Sequence, residues 1–84
     1  MSFVYLIKSL KYDLFYVGRT KDIENRLLEH NKGLNPSTRR HIPYELVYFE
    51  FYKHEKDAID REYKLKHHGS AIGHLKKRLK NSLS

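Results

Sequence analysis

The spacing of apolar and polar positions changes along the chain, and each change marks an element. In residues 3–9, Phe3, Tyr5 and Ile7 fall on one side of a two-residue repeat; Val4, Leu6 and Lys8 fall on the other. A strand that is apolar on both sides belongs in the middle of a sheet. Ser9 to Asp13 is polar and predicts a turn. Residues 14–18 predict a second strand, with Leu14, Tyr16 and Gly18 on one side. A hairpin loop centred near Leu10-Lys11 sets Tyr5 opposite Tyr16 on one face, and a slip of one residue would part the two rings.

From residue 22 the period lengthens. Residues 22–32 predict a helix, with Asp22 suited to its first turn and Ile23, Leu27 and Leu28 as its buried stripe. Gly33 is a natural stop. A loop from Leu34 to Pro43 holds both prolines and the run Thr38-Arg39-Arg40-His41. Residues 44–52 are filled with aromatic and β-branched side chains and predict a third strand. Residues 54–67 predict a helix with Ala58, Ile59, Glu62 and Leu65 on one face. Gly69 is expected to close it and Ser70 to cap a last helix, about 70–82. There Ile72, Leu75 and Leu79 share a side, away from Lys76, Lys77, Arg78 and Lys80. The order is β-β-α-β-α-α. It predicts an α+β fold, a small three-stranded, mainly antiparallel sheet flanked by helices. No repeat or second domain is visible, so residues 1–84 are expected to form one domain.

Composition narrows the options. A chain of 84 residues buries only roughly 60–65% of its unfolded surface, so its packing must be good. Seven Tyr and four Phe supply large rings for it. With no cysteine, disulfides and thiolate metal sites are excluded, which fits a reducing cytoplasm. No signal peptide and no membrane helix are expected, since no apolar run approaches the necessary length. The net charge is +7, from 17 Lys and Arg against 10 Asp and Glu. Such a surface favours a polyanionic partner over simple solubility.

Few residues are candidates for chemistry. Arg26 and His30 are four apart and share a helix face at the edge of the buried side. The guanidinium fork matches a phosphate; the plainer view is a snorkelling arginine beside a surface histidine. Glu62 stands where the stripe calls for an apolar residue. A carboxylate there must be paired, protonated or metal-bound, with Lys64 and Lys66 at hand as partners. One carboxylate suits Mg²⁺, which keeps waters and takes phosphate oxygens, but not structural zinc. Tyr5 and Tyr16 are ordinary strand aromatics unless a cation such as Arg26, Arg19 or a metal favours the phenolate. Gly18 gives the chain room to turn and lets a backbone or ligand approach closely. The six His form no metal-ligand pattern, and no Gly-rich phosphate loop is present.

Together these residues resemble the GIY-YIG nuclease superfamily. Phe3-Val4-Tyr5 matches the first motif and Tyr16-Val17-Gly18 the second. Arg26 matches the helical arginine, Pro43-Tyr44-Glu45-Leu46-Val47-Tyr48 the third strand, and Arg61-Glu62 the helix with the catalytic glutamate. The match is collinear over residues 3–68. It is similar to short stand-alone bacterial members and to the N-terminal nuclease domain of the excinuclease. The resemblance implies a metal-dependent endonuclease hydrolysing DNA phosphodiester bonds by in-line attack of water, in DNA repair or recombination. It implies that Glu62 holds Mg²⁺ or Mn²⁺ and Arg26 binds the scissile phosphate. Tyr5 or Tyr16 would deprotonate or orient the water, with His30 in support and Arg19 as a basic neighbour. Two departures stand out. Phe3 replaces the glycine of the family name, which a strand should tolerate with some crowding of the groove. The supporting asparagine of many members has no clear counterpart, since Asn81 lies too far along.

The partner implied is DNA, with RNA not excluded. A protein partner is expected to supply specificity, because the chain has little room for a separate DNA-reading module. Arg19, Arg39, Arg40, Lys76 and Lys77 are candidates for contacting nucleic acid, although the last helix also reads as a solvated face. A rival reading is a non-catalytic nucleic-acid-binding module, with the basic loop and exposed tyrosines holding bases. A third is a small interaction protein whose charge serves solubility alone.

Overall fold

The computed structural model describes residues 1–83; Ser84, the last residue of the expected domain, lies outside them. Three strands, β1 (Ser2–Ser9), β2 (Phe15–Thr20) and β3 (Tyr44–Tyr52), form an antiparallel sheet in the order β2-β1-β3. The central place of β1 follows from its apolar residues on both sides: Val4, Tyr5, Leu6 and Ile7 are all buried. Three helices, α1 (Ile23–Asn31), α2 (Glu55–His67) and α3 (Gly69–Arg78), complete the predicted α+β order.

The hairpin register differs from the expected one by two residues. Tyr5 pairs with Gly18, and Tyr16 pairs with Ile7. A shift of two keeps side chains on their faces, so the two tyrosines still share a face, set diagonally. The wider loop is held by Ser9. Its hydroxyl accepts from Lys11 N and Tyr12 N and donates to the His41 carbonyl at 2.7 Å. Gly18 makes no turn, since β2 continues to Thr20.

The sheet divides the core in two. On one face Tyr5, Ile7 and Tyr44 pack with Tyr16, Leu27, Ile42 and Leu46. On the other, Val4, Leu6 and Val17 meet Ala58, Leu65 and Leu75. A bulge in β3 opposite Leu6 and Ile7 turns both Val47 and Tyr48 toward the second cluster. Phe3 meets Phe49 and Phe51 edge-on. Its ring also lines a groove with Lys21, Ile23 and Glu24, just past the end of β2.

The helices are set by their ends and inward residues. Asp22 caps α1, its Oδ1 accepting from Asn25 N at 3.1 Å. Gly33 stops it with φ of 76°. The inward face of α1 is Ile23, Leu27 and His30, so Leu28 is exposed and not part of the stripe. On α2, Ala58, Arg61 and Leu65 turn inward and Ile59 is exposed. The cause is polar. Glu50 of β3 accepts a forked pair of bonds from Arg61 at 2.9 Å, plus bonds from Tyr48 and Tyr52. Burial raises the Glu50 pKa, but these bonds outweigh it and leave the carboxyl below its ordinary range. Tyr52 is pushed up to about 12 by burial and by its bond to Glu50. His68, not Gly69 or Ser70, joins α2 to α3: it is C-cap to one and N-cap to the other. Leu75 is the buried residue of α3, with Ile72 and Leu79 beside it.

Candidate active site

The shared face of β1 and β2 is where the candidate side chains begin to meet. Tyr5 is 4% exposed and lies across Gly18. A Cβ at Gly18 would sit 2.3 Å from the Tyr5 hydroxyl oxygen. The glycine therefore makes room for a ring, the close approach that a glycine permits. The hydroxyl reaches His30 Nε2 at 2.8 Å. His30 is fully buried, not at the surface, and its Nδ1 lies 2.7 Å from Thr38 Oγ1. Thr38 donates onward to the Asn35 carbonyl at 3.5 Å. Its lone pairs are then free for a proton on Nδ1, which assigns Nε2 as the acceptor of the Tyr5 proton. Tyr16 meets the same imidazole edge-on, with centroids 5.2 Å apart. Tyr44 closes the far side at 6.2 Å.

The electrostatics follow from burial. His30 falls below its ordinary value of 6.5 because it is buried, and Arg26 lowers it further. It is neutral at pH 7. Burial raises Tyr5 well above the usual tyrosine range; Tyr16 adds to this, Arg26 opposes it, and Glu62 adds again. The cations nearby thus do not favour a Tyr5 phenolate, because desolvation of the charged form outweighs them.

Arg26 comes from α1 and acts on both Tyr5 and His30. Its side chain is 41% exposed, and its nearest acid is Glu29 at 3.6 Å. Its Nε is buried without a hydrogen-bond partner. Glu62 comes from α2, across the β2 edge. Its two carboxylate oxygens are held separately, by Arg19 Nε at 3.2 Å and Lys66 Nζ at 3.0 Å. Arg19 also pairs with Glu55, which accepts from the buried Ser2 hydroxyl. Hydrogen bonding to Ser2, together with Arg19, holds the Glu55 carboxyl below its ordinary range against a desolvation cost. The lysine beside Glu62 is Lys66, whose ammonium also lies 5.5 Å from the Tyr16 ring centroid. Tyr5, Tyr16 and His30 therefore meet directly on one face of the sheet, while Glu62 stands on the helix packed against the other face and is linked to Tyr16 by way of Lys66.

The other basic candidates lie outside this group. Arg39 and Arg40 are exposed on a short 3-10 turn directly after Thr38. Lys77 is exposed, and Lys76 leans on Phe15.

The model of the GIY-YIG catalytic domain matches residues 1–81. The chain belongs to the GIY-YIG family. A "UPF0213 protein" of Clostridium perfringens is 40% identical over 67 residues, 79% of this chain and 71% of its own length. One of Staphylococcus saprophyticus is 37% identical over 65 residues, 76% of this chain and 78% of its own. One of Staphylococcus epidermidis is 40% identical over the same length and shares. No solved structure gives a significant match. The chain is thus a short GIY-YIG domain of a nuclease family. Its two name motifs lie side by side in the sheet, the tyrosine of the first facing the glycine of the second.

Among the described residues no three His, Cys, Asp or Glu side chains gather as a metal cage. A single carboxylate, 19% exposed, fits a hard divalent ion that takes most of its shell from water and phosphate, once Arg19 or Lys66 yields an oxygen. It does not fit zinc. No described helix is long and apolar enough to cross a membrane.

Thr38 and Asn31 were not visible as site residues in the sequence. Thr38 is buried and orients His30. Asn31 clamps Tyr44 through both backbone atoms, at 2.7 and 3.0 Å. Neither lies on a periodic stripe, and only the fold of the 34–43 loop brings Thr38 to the imidazole.

Proposed function

We propose that the chain is a divalent-metal-dependent endonuclease that hydrolyses DNA phosphodiester bonds in repair or recombination. Substrate structure or a partner protein would direct the cut. The absence of cysteine is consistent with work in a reducing cytoplasm. One observation carries the reading. A buried Tyr5–His30–Thr38 chain lies beside Tyr16, whose ring Lys66 joins to the Glu62 carboxylate, and Arg26 of α1 is near enough to act on both Tyr5 and His30.

Phosphoryl transfer asks mainly for positioning and charge neutralisation. Arg26, whose side chain is 41% exposed, would hold the scissile phosphate by turning its guanidinium from Glu29. Glu62 would hold Mg²⁺ or Mn²⁺, which when bound supplies Lewis-acid charge at the phosphoryl oxygens. The Tyr5 oxygen would orient the attacking water and take its proton while passing its own to His30 Nε2. Thr38 keeps the imidazole in the tautomer this needs. Phosphate bound at Arg26 would offset that residue's part in lowering His30, though not the larger part due to burial, and so help the imidazole hold the proton. Tyr16 would flank the water from the open side. Arg19 and Lys66 would hold the Glu62 carboxylate in place until the cation competes for it.

The test is cleavage of flapped, branched and single-stranded DNA with Mg²⁺ or Mn²⁺, comparing the parent with Arg26→Ala and Glu62→Ala. Loss of at least about a hundredfold in each variant is expected, since each removes a charge that stabilises the transition state. Unchanged rates would sink the assignment. The binding-module reading draws on one fact: both Glu62 oxygens are already paired with cations. Salt-sensitive binding with no cleavage across metals and substrates would favour it.

A further inference from the structure

A cleft of about 500 Å³ runs between the start of β2 and the last two helices. The proposed mechanism uses Tyr16 and Lys66 of the cleft lining and gives the rest no role. Its floor is apolar, made by Phe15, Leu65 and Ile72 among others; Lys66 and Lys76 stand on its rim against a single acid, Asp13. Lys76 Nζ lies 4.4 Å from the Phe15 ring centroid, and Lys8 approaches the same ring at 5.9 Å. One end of the cleft is Tyr16, the ring that also meets His30. At that end Lys66 links it to Glu62. The cleft therefore shares Tyr16 and Lys66 with the candidate active site.

We infer that this cleft seats an unpaired nucleotide of the DNA strand being cut. The inference rests on the nuclease reading and names the substrate class for that site. The chemistry selects the occupant. A duplex turns phosphates outward and keeps its base faces stacked, so it has nothing to set on an apolar floor. An unpaired nucleotide offers a bare base face and an anionic backbone, the pair of features this cleft matches with a ring floor and an ammonium rim. Its size lies within the usual range of ligand clefts, about 300–1,000 Å³. The base would lie over Phe15 and Ile72, with flanking phosphates on Lys66 and Lys76. The strand would then pass Tyr16 on its way to Arg26.

The test separates binding from cleavage by working in EDTA. A fluorescein-labelled dT 12-mer and a blunt duplex of the same length are titrated by anisotropy at low salt. The single strand should bind roughly fivefold tighter or better, as one seated base would provide. Lys76→Ala should weaken single-strand binding roughly fivefold, while Lys56→Ala, exposed at the far end of α2, should change it less than about twofold. The Ile72 methyl resonance should shift on titration and that of Ile23 should stay. The inference is overturned if the duplex binds as tightly, if Lys76→Ala and Lys56→Ala act alike, or if Ile23 moves in place of Ile72. Absence of binding, or tighter binding of an rU 12-mer, also overturns it. A protein that binds in this way but cuts nothing keeps the cleft and loses the nuclease reading.

Discussion

At Gly18 one methyl group would sit 2.3 Å from the Tyr5 hydroxyl oxygen and 2.4 Å from Cζ. Tyr5 is too buried to step aside freely. Gly18→Ala should therefore cost about 1–3 kcal/mol of stability by overpacking. It should lower cleavage more than a stability loss of that size explains, because it pushes the hydroxyl off His30. Thermal unfolding and single-turnover cleavage of the same preparation check both parts. His30 gives the second prediction at this scale. Its folded pKa lies below 6.5, so the unfolded chain takes up the proton first as pH falls. The stability held by the neutral imidazole is complete above about 6.5 and is lost below it as pH falls through the folded pKa. Denaturation midpoints should drop over that window in the parent and drop less steeply in His30→Ala. The cleavage rate of the parent should fall on the same acid side, since a protonated His30 accepts nothing from Tyr5. The pattern of residues announced Tyr5 and His30 as candidates, but not that His30 is the most enclosed polar group between them. A histidine at a helix edge carries no mark of burial until Thr38 arrives from a loop.

Among the elements, the third strand and the first two helices were legible to within a residue or so, because their periods are long and regular. The hairpin was legible in its faces but not its register. Ser9 ties the turn to the His41 carbonyl, a contact from a distant segment that widens the loop by two residues. The bulge in β3 was hidden for a similar reason: Val47 and Tyr48 are both apolar, and nothing local says that they share a face. On α2 the expected stripe was turned by the Glu50–Arg61 pair. Arg61 and Glu62 are neighbours in sequence with different work, one holding the sheet and the other facing the β2 edge. Arg61→Leu should therefore lose about 2–4 kcal/mol by stranding the mostly buried Glu50 carboxylate. The variant's cleavage rate, measured where it remains folded, should stay within a few-fold of the parent. Urea unfolding and cleavage at low temperature distinguish the two effects.

For the whole molecule, the charge of +7 predicts binding to DNA that weakens steeply with salt, and this much was plain from composition. Composition does not say where the strand lies. With Arg26, Lys66 and Lys76 as the phosphate contacts, log affinity for single-stranded DNA should fall with log salt at a slope of about −2. A slope near zero would assign the charge to solubility alone. The candidate site was legible as a set of residue types, and topology decides which of them meet. The hairpin brings Tyr5 and Tyr16 together, α1 adds Arg26 and His30, and α2 brings Glu62 to the β2 edge from more than thirty residues away.

That convergence is tested most directly at Glu62. Its ion pairs are partly exposed and worth about 0–1 kcal/mol, so Glu62→Gln should fold like the parent, as judged by circular dichroism and thermal unfolding. Cleavage of a flapped DNA with Mn²⁺ by the two proteins is the decisive comparison. The parent should cut, and Glu62→Gln should lose at least about a hundredfold in rate while binding the same DNA in EDTA at least as tightly. A folded Glu62→Gln protein that cuts at the parent rate would contradict the account.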